Sequence, residues 1–451
     1  MGKQVRIRVI VAGVIFLLAA VDMTTQRTTA RVHDDEPVML NRGFMAGRLY
    51  RDYLRSGTCT REWDSKAWFP AREPLGKAIV GLGLWVGGAQ PPAVPYDYQG
   101  WRGYRWNLEH GRVPPPEVLS AGRLLIPLFS AAATTLIFVL GASIGSVLGG
   151  LLAAVVFHLN PVCRFYGPRA LADMPAMFFA LLALWYLERR VAPAWNGRFQ
   201  ALLGRSVLFA LLAGLATATK LNSALVVCVA VVAFAVWGVT GAAAIGLSSA
   251  LTRSLVMTMI VGVTSYGLFV LVNPQLHRSP VARTLDIVSV WSAKNQLHMR
   301  NDPQRALRTV GERVQAVGRV VLGKSLATLP VPYVTGLLAL VGAIVLAWTR
   351  RPSLGWRDPP SVLLIWGSVA LTGVALWIPM DWDRYHLPVI AVISVLMGAL
   401  GRLFFVESMQ PEQSVLVGGT TRLAMLRWAL RIGTKQNRLD PNNALDGSRG
   451  V

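Results

Sequence analysis

Acidic residues are scarce in this chain: 23 Asp and Glu stand against 45 Lys and Arg, for a net charge of +22. Cysteine is scarcer still. Cys59, Cys163 and Cys228 are too few and too scattered for a disulfide framework or a zinc site. The sequence has no P-loop, no Gly-x-Gly-x-x-Gly with a following ribose-binding acid, no His-Glu-x-x-His and no Gly-x-Ser-x-Gly. Nucleotide binding at a cytoplasmic site is therefore unsupported. Internal repeats and low-complexity tracts are missing too. Only 15% of residues are charged and the mean hydropathy is +0.45, which excludes the soluble globular class.

What is present is a series of apolar runs of membrane-spanning length. Spans are expected near 5–22, 119–140, 145–161, 174–188, 206–220, 222–240, 254–272, 331–349, 361–379 and 386–406. The fold class is thus an all-α polytopic membrane protein with about ten transmembrane helices. The opening MGKQVRIR leaves two readings for the first run: a cleaved signal peptide, or a span lengthened by snorkelling of Arg6 and Arg8. Residues 73–88 decide the parity of everything that follows. If EPLGKAIVGLGLWVGG lies along the interface and the N-terminus is inside, the short Arg-rich loops are cytoplasmic, as the positive-inside rule requires. Two long loops, 23–118 and 273–330, then face the exterior of a plasma or inner membrane. Basic loops against anionic lipid explain the charge without nucleic acid. Residues 1–407 are expected to form one membrane domain, and 408–451 a basic, partly disordered cytoplasmic tail.

Polar residues beside apolar runs are the candidates for chemistry. RVHDDEPVMLNR places Asp34, Asp35 and Glu36 together just after the first run, as a solvated loop or as a carboxylate poised for general-base work or for a cation. In RFYGPRALADMP, Arg169 and Asp173 are four apart, either a boundary ion pair or an orienting pair at an external site. Lys220 sits in GLATATKLNSAL between two runs, and Lys77 in the first turn of the 73–88 segment. WIPMDWDRYHLPVI brings Arg384 and Tyr385 to the outer end of a span, where a guanidinium fork suits phosphate. Glu73 and His277 are candidates for holding a divalent cation or contacting an acceptor. No cofactor is fixed by the sequence.

In order and spacing these stretches resemble the GT-C glycosyltransferases, on the branch of the protein O-mannosyltransferases and aminoarabinose transferases. The resemblance runs over roughly residues 30–395. HDDEP resembles the Asp-Glu motif of the first external loop, and REPLGKAIVGLGLWVGG that loop's second motif, a juxtamembrane helix in the family. RALADMPAMFFALLAL, GLATATK and DWDRYHLPVIAVI resemble the Arg-x-x-x-Asp, Gly-Leu-x-x-x-x-Lys and Arg-Tyr-x-x-Pro stretches. The family's His-Pro is replaced here by Arg72-Glu73-Pro74, so that histidine's role is lost, and Glu73 is the substitute.

The resemblance implies a GT-C-like bundle that moves a sugar from a polyprenyl-phosphate donor to an acceptor on the external face, with inversion. It implies Asp35 as general base, with Asp34 second, and Glu36 and Asp173 positioning the acceptor or keeping the base ionised. Lys220, Arg384, Arg169, Lys77 and Tyr385 would bind the donor phosphate. The acceptor is left open among protein, glycolipid and polysaccharide. A lipid or small-solute transporter is the competing reading, and it predicts buried charges near the bilayer midplane.

Overall fold

Within lipid every backbone polar group needs an internal partner, so long apolar runs resolve into helices. The computed structural model describes residues 3–58, 74–322, 334–349 and 356–403. The N-terminal third comprises α1 (Lys3–Thr29), α2 (Glu36–Ser56), α3 (Pro74–Val86), α4 (Gly103–Glu109), α5 (Pro116–Gly122) and α6 (Ile126–Ile144). The middle adds α7 (Val147–Leu159), α8 (Pro161–Tyr166), α9 (Asp173–Tyr186), α10 (Phe199–Thr219), α11 (Leu225–Thr240), α12 (Ala242–Ile245) and α13 (Leu247–Leu271). The remainder is α14 (Pro280–Asn301), α15 (Val310–Leu322), α16 (Val334–Thr349), α17 (Pro359–Trp377) and α18 (Leu387–Gly398). Among the described residues there is no sheet, only an isolated antiparallel bridge between Ala306 and Met380.

Among the described residues, seven helical segments are long and apolar enough to cross a membrane. Helices also occupy the other three expected positions, but they are shorter: α7 has 13 residues, α9 has 14 and α16 has 16. At 1.5 Å per residue each rises about 20–24 Å, less than a hydrocarbon core of about 30 Å. A π-helical turn over Leu187–Val191 extends α9. The expected tail, 408–451, lies outside the described residues.

Within the stretch 74–88 the helix α3 is short, like α7. α3 has 13 residues and packs against α2, α5 and the end of α10. Its bond with α2 rests on backbone approach: a Cβ on Gly81 would stand 2.4 Å from the Gly43 carbonyl oxygen. α2 is amphipathic and turns Met39, Leu40, Gly43, Ala46 and Leu49 inward.

α18 is the most enclosed of the candidate spans, flanked by α6, α7, α16 and α17. Whatever stands at its N-terminal end is held by the centre of the bundle. The second long loop docks onto that end: Leu307 N–H donates to the Pro379 carbonyl at 2.9 Å and Asp381 N–H to the Arg305 carbonyl at 2.8 Å. Trp291 of α14 stacks on Trp377 with centroids 5.1 Å apart, and His298 meets Trp382 edge-on at 5.0 Å.

Candidate functional site

The three neighbouring acids have three different partners. Glu36 is fully buried and receives the fork of buried Arg123, Nε to Oε1 and Nη2 to Oε2, both at 2.7 Å. Its oxygens also accept from the Ala170 and His33 backbone N–H groups, each at 2.8 Å. Arg123 in turn donates to the Arg27 and Ala30 carbonyls at 2.8 and 2.9 Å. This one clamp ties the end of α1, the acidic loop and the approach to α9 together. Asp34 is exposed, lies against Gly100 and accepts from the Tyr98 hydroxyl. Burial and the adjacent Asp34 charge both push that phenol up.

Asp35 faces the other way, and its Oδ2 accepts a hydrogen bond from Nη1 of Arg384. Residues 349 apart in sequence thus meet directly. Burial by itself would push the Asp35 carboxyl up. The Arg384 guanidinium, with His33 and Lys294 nearby, outweighs it and holds the group at about 2. The Arg384 guanidinium also lies 4.8 Å from the Trp382 ring centroid and 5.9 Å from that of Tyr385, two rings that stack on each other. Such cation–π contacts steer the fork as well as attract it.

A second pair stands close by. Asp173 is the first residue of α9 and Lys220 follows the last residue of α10, so a carboxylate sits at a helix N-terminus and an ammonium at a C-terminus. Both placements suit the helix dipoles, each by about 0.3–1 kcal/mol. Because α9 and α10 pack together, the two ends meet and Nζ donates to Oδ1 at 2.5 Å. α3 abuts the same place. A Cβ on Gly76 would stand 2.6 Å from Ala172 Cβ and 3.0 Å from the Thr219 carbonyl, the residues just before Asp173 and Lys220. Lys77, which follows Gly76 in α3, is buried to 1% exposure and does not line the groove.

Asp173, Lys220, Asn222, Ser223 and Arg384 line the polar part of an open groove. Below them the wall is apolar. Met177 and Leu181 descend one face of α9, Val226 and Val229 one face of α11, and Trp366 of α17 closes the side. From Asp173 to Leu181 the wall drops about 12 Å at helical rise. The shape suits an amphiphile with an anionic head and an apolar tail.

No family model matches the chain, and no curated protein matches it. Three solved structures of the oligosaccharyltransferase of Archaeoglobus fulgidus are similar in shape. One, described as AglB in complex with an inhibitory peptide and a dolichol-phosphate, has a TM-score of 0.47 at 13% identity, covering 94% of this chain and 54% of that one. The apo form gives 0.48 at 13% identity, with 94% and 54% covered. The form tethered to an acceptor peptide containing an NVT sequon gives 0.43 at 12%, with 94% and 53% covered. The chain spans about half the length of these proteins, and likeness of this degree bears on neither activity nor substrate.

Other expected site residues stand elsewhere. Arg169 does not orient Asp173, whose partner is Lys220. Its Nε donates to the Arg31 carbonyl at 3.2 Å, its Nη1 to the Phe165 carbonyl, and its guanidinium lies 3.7 Å from the Phe165 ring centroid. Glu36 does not line the groove, and its carboxylate is taken up by Arg123 and by the His33 and Ala170 N–H groups of the clamp. Tyr385 reaches the site through its stack with Trp382 and is not in the groove lining. Glu73 lies outside the described residues. His277 has both ring nitrogens engaged, Nδ1 with the Tyr53 hydroxyl at 3.0 Å and Nε2 with the Val270 carbonyl at 3.1 Å. That ring is built into the α2–α13 contact and does not suit a metal ligand. Among the described residues no three His, Cys, Asp or Glu side chains gather to hold an ion.

Arg123 was missed by sequence reasoning. Its signal was available: a lone arginine inside the apolar stretch Pro116–Ile144 is costly unless paired.

Proposed function

We propose that the protein is a membrane glycosyltransferase of the GT-C type that takes its sugar from a polyprenyl-phosphate donor. The observation that carries this reading is the meeting of Asp35 with Arg384 at a groove that also contains Lys220 and Asp173. One end of that groove supplies cations for a phosphate, its wall supplies apolar surface for a lipid chain, and a carboxylate stands beside the cations.

In this mechanism the donor phosphate lies against Lys220 and Arg384, with the polyprenyl chain along α9 and α11. Asp35 removes the proton from an acceptor O–H or N–H. The acceptor atom forms a bond to the anomeric carbon from the side opposite the leaving group, and the configuration inverts. The C–O bond to phosphate breaks and its electron pair leaves on polyprenyl phosphate. Fixed cations near a low-dielectric wall stabilise that developing charge better than water does. The balance is complete: a glycosylated acceptor, polyprenyl phosphate and a protonated Asp35. The site faces the exterior of the plasma or inner membrane, and the acceptor is a protein, glycolipid or polysaccharide group. The membrane domain extends over residues 1–407.

The test is transfer from labelled polyprenyl-phosphate sugars by purified protein. Asp35→Ala abolishes transfer while leaving membrane expression intact. Transfer that survives Asp35→Ala and disappears in Asp34→Ala moves the base by one residue. Arg384→Ala weakens donor binding far more than Arg384→Lys does. Equal losses in the two would show that the fork's two-point geometry, and not its charge, holds the phosphate.

A further inference from the structure

Both cations that line the groove already have a carboxylate on them: Arg384 is bonded to Asp35, and Lys220 to Asp173. An unpaired cation beside an apolar wall is expensive, so these pairs settle the empty groove. They also compete with any anion that enters it: Arg384 Nη1 donates to Asp35 Oδ2 and Lys220 Nζ to Asp173 Oδ1, so each cation has one donor, and each carboxylate one oxygen, committed to its pair. Resting on the donor reading above, we propose that the groove works by partner exchange: the phosphate of the incoming donor takes Arg384 from Asp35, and this releases the carboxylate to act as a base.

The geometry gives the exchange its logic. Arg384 lies between the two ligands, since it lines the groove and touches Asp35 at once. Its fork is steered by the Trp382 and Tyr385 rings, so it turns between partners without leaving the site. Asp35 cannot follow, because Glu36 beside it is fixed by Arg123, Ala170 and His33. The base is quenched in the donor-free protein and is uncovered when the donor is seated. Binding is consequently ordered, donor before acceptor, and no acceptor is deprotonated at an empty groove.

The experiment measures binding of a sugar-free polyprenyl phosphate to the purified full-length protein in detergent, followed by the quenching of tryptophan fluorescence. Asp35→Asn removes the competitor for Arg384 and is expected to tighten binding roughly ten-fold, although it removes transfer. A lost negative charge would also help an anion through space, so the same substitution is repeated in an Arg384→Gln background. There the gain is expected to fall below about two-fold, because no fork is left to release. An equal gain in both backgrounds, or no gain in either, overturns the exchange. Asp173→Asn provides a second reading on the Lys220 side, with a gain that Lys220→Gln removes, should Asp35→Asn not be recovered folded. If the unmodified protein does not bind polyprenyl phosphate, the donor reading fails. If it binds and the Asn variants gain nothing, only the exchange fails.

Discussion

Replacing Glu36 by alanine tests whether the acidic loop is held by a desolvated ion pair. The carboxylate is fully buried and Arg123 is 2% exposed, so the substitution leaves a guanidinium enclosed without its counter-charge. Breaking a buried pair from one side costs about 3–5 kcal/mol. Two backbone donors, His33 N–H and Ala170 N–H, lose their acceptor as well, at about 1–3 kcal/mol each before relaxation. Water entering the gap recovers part of this, and a net loss of about 5 kcal/mol is the expectation for Glu36→Ala. Glu36→Gln keeps the volume and one acceptor oxygen but turns an amide donor toward Arg123, so its loss is smaller, about 3 kcal/mol. Joint replacement by Glu36→Leu and Arg123→Met removes both charges and recovers most of the stability, since apolar side chains of similar volume replace such pairs at little cost. Equilibrium unfolding in mixed detergent micelles reads all four proteins. A Glu36→Ala loss below about 1 kcal/mol would show that the pair is hydrated, and the clamp argument would fail.

Two further outcomes are expected. Gly81→Ala forces α3 away from α2, because the atom it meets is the Gly43 carbonyl, which cannot rotate aside. A loss of about 1–3 kcal/mol is expected, whereas Gly47→Ala, with nothing within 4 Å of the new Cβ, is neutral or stabilising; equal effects in thermal unfolding would refute the close approach. The pH dependence of the Asp35–Arg384 pair has a definite sign. Asp35 titrates near 2 in the folded protein and near 3.9 when unfolded, so its stabilisation is complete above about pH 4 and is lost as pH falls toward 2. The stability difference between the parent and Asp35→Asn therefore closes as pH falls from about 4 toward 2. A difference that stays constant from about pH 5 down to 2 would contradict the depressed carboxyl.

Much of the site was legible because charge is conspicuous among apolar runs. HDDEP, Lys220 and DWDRYH stand out by contrast alone. The failures have physical causes. Arg169 and Asp173 were paired by their spacing of four, a rule that holds only on a continuous helix. The chain is irregular from 167 to 172, between the end of α8 at Tyr166 and the start of α9 at Asp173, and the two side chains diverge. Asp173 finds Lys220 instead through the packing of α9 on α10, which no local pattern displays. The resemblance gave Glu36 to positioning the acceptor or keeping the base ionised, and the burial of its carboxylate against Arg123 has no signal in the sequence around it. Only the fold reveals that the three consecutive acids leading into α2 turn to Tyr98, Arg384 and Arg123. Three spans were also expected at full length, where hydropathy averaged across a turn or a π-helical segment hides where the α-helix stops.

The placement of charge separates the enzyme reading from the transporter reading. A carrier built on discontinuous helices needs polar groups at mid-depth, where a site can be offered to either side in turn. Here the groove's charges stand at helix ends, Asp173 opening α9, Lys220 closing α10 and Arg384 in the short 3-10 turn ahead of α18, and Asp35, which meets Arg384 outside the lining, stands immediately before α2. Below that level the groove lining changes to Met177, Leu181, Val226 and Val229. A phosphate at the top would meet fixed cations and helix dipoles, whereas the same phosphate a turn or two lower would meet hydrocarbon and no donor. On the proposed reading, this gradient would hold a lipid head at one level and oppose its movement downward. Charges gathered at helix ends above an apolar wall thus favour the proposed enzyme over a carrier, whose polar groups would be expected further down the same groove.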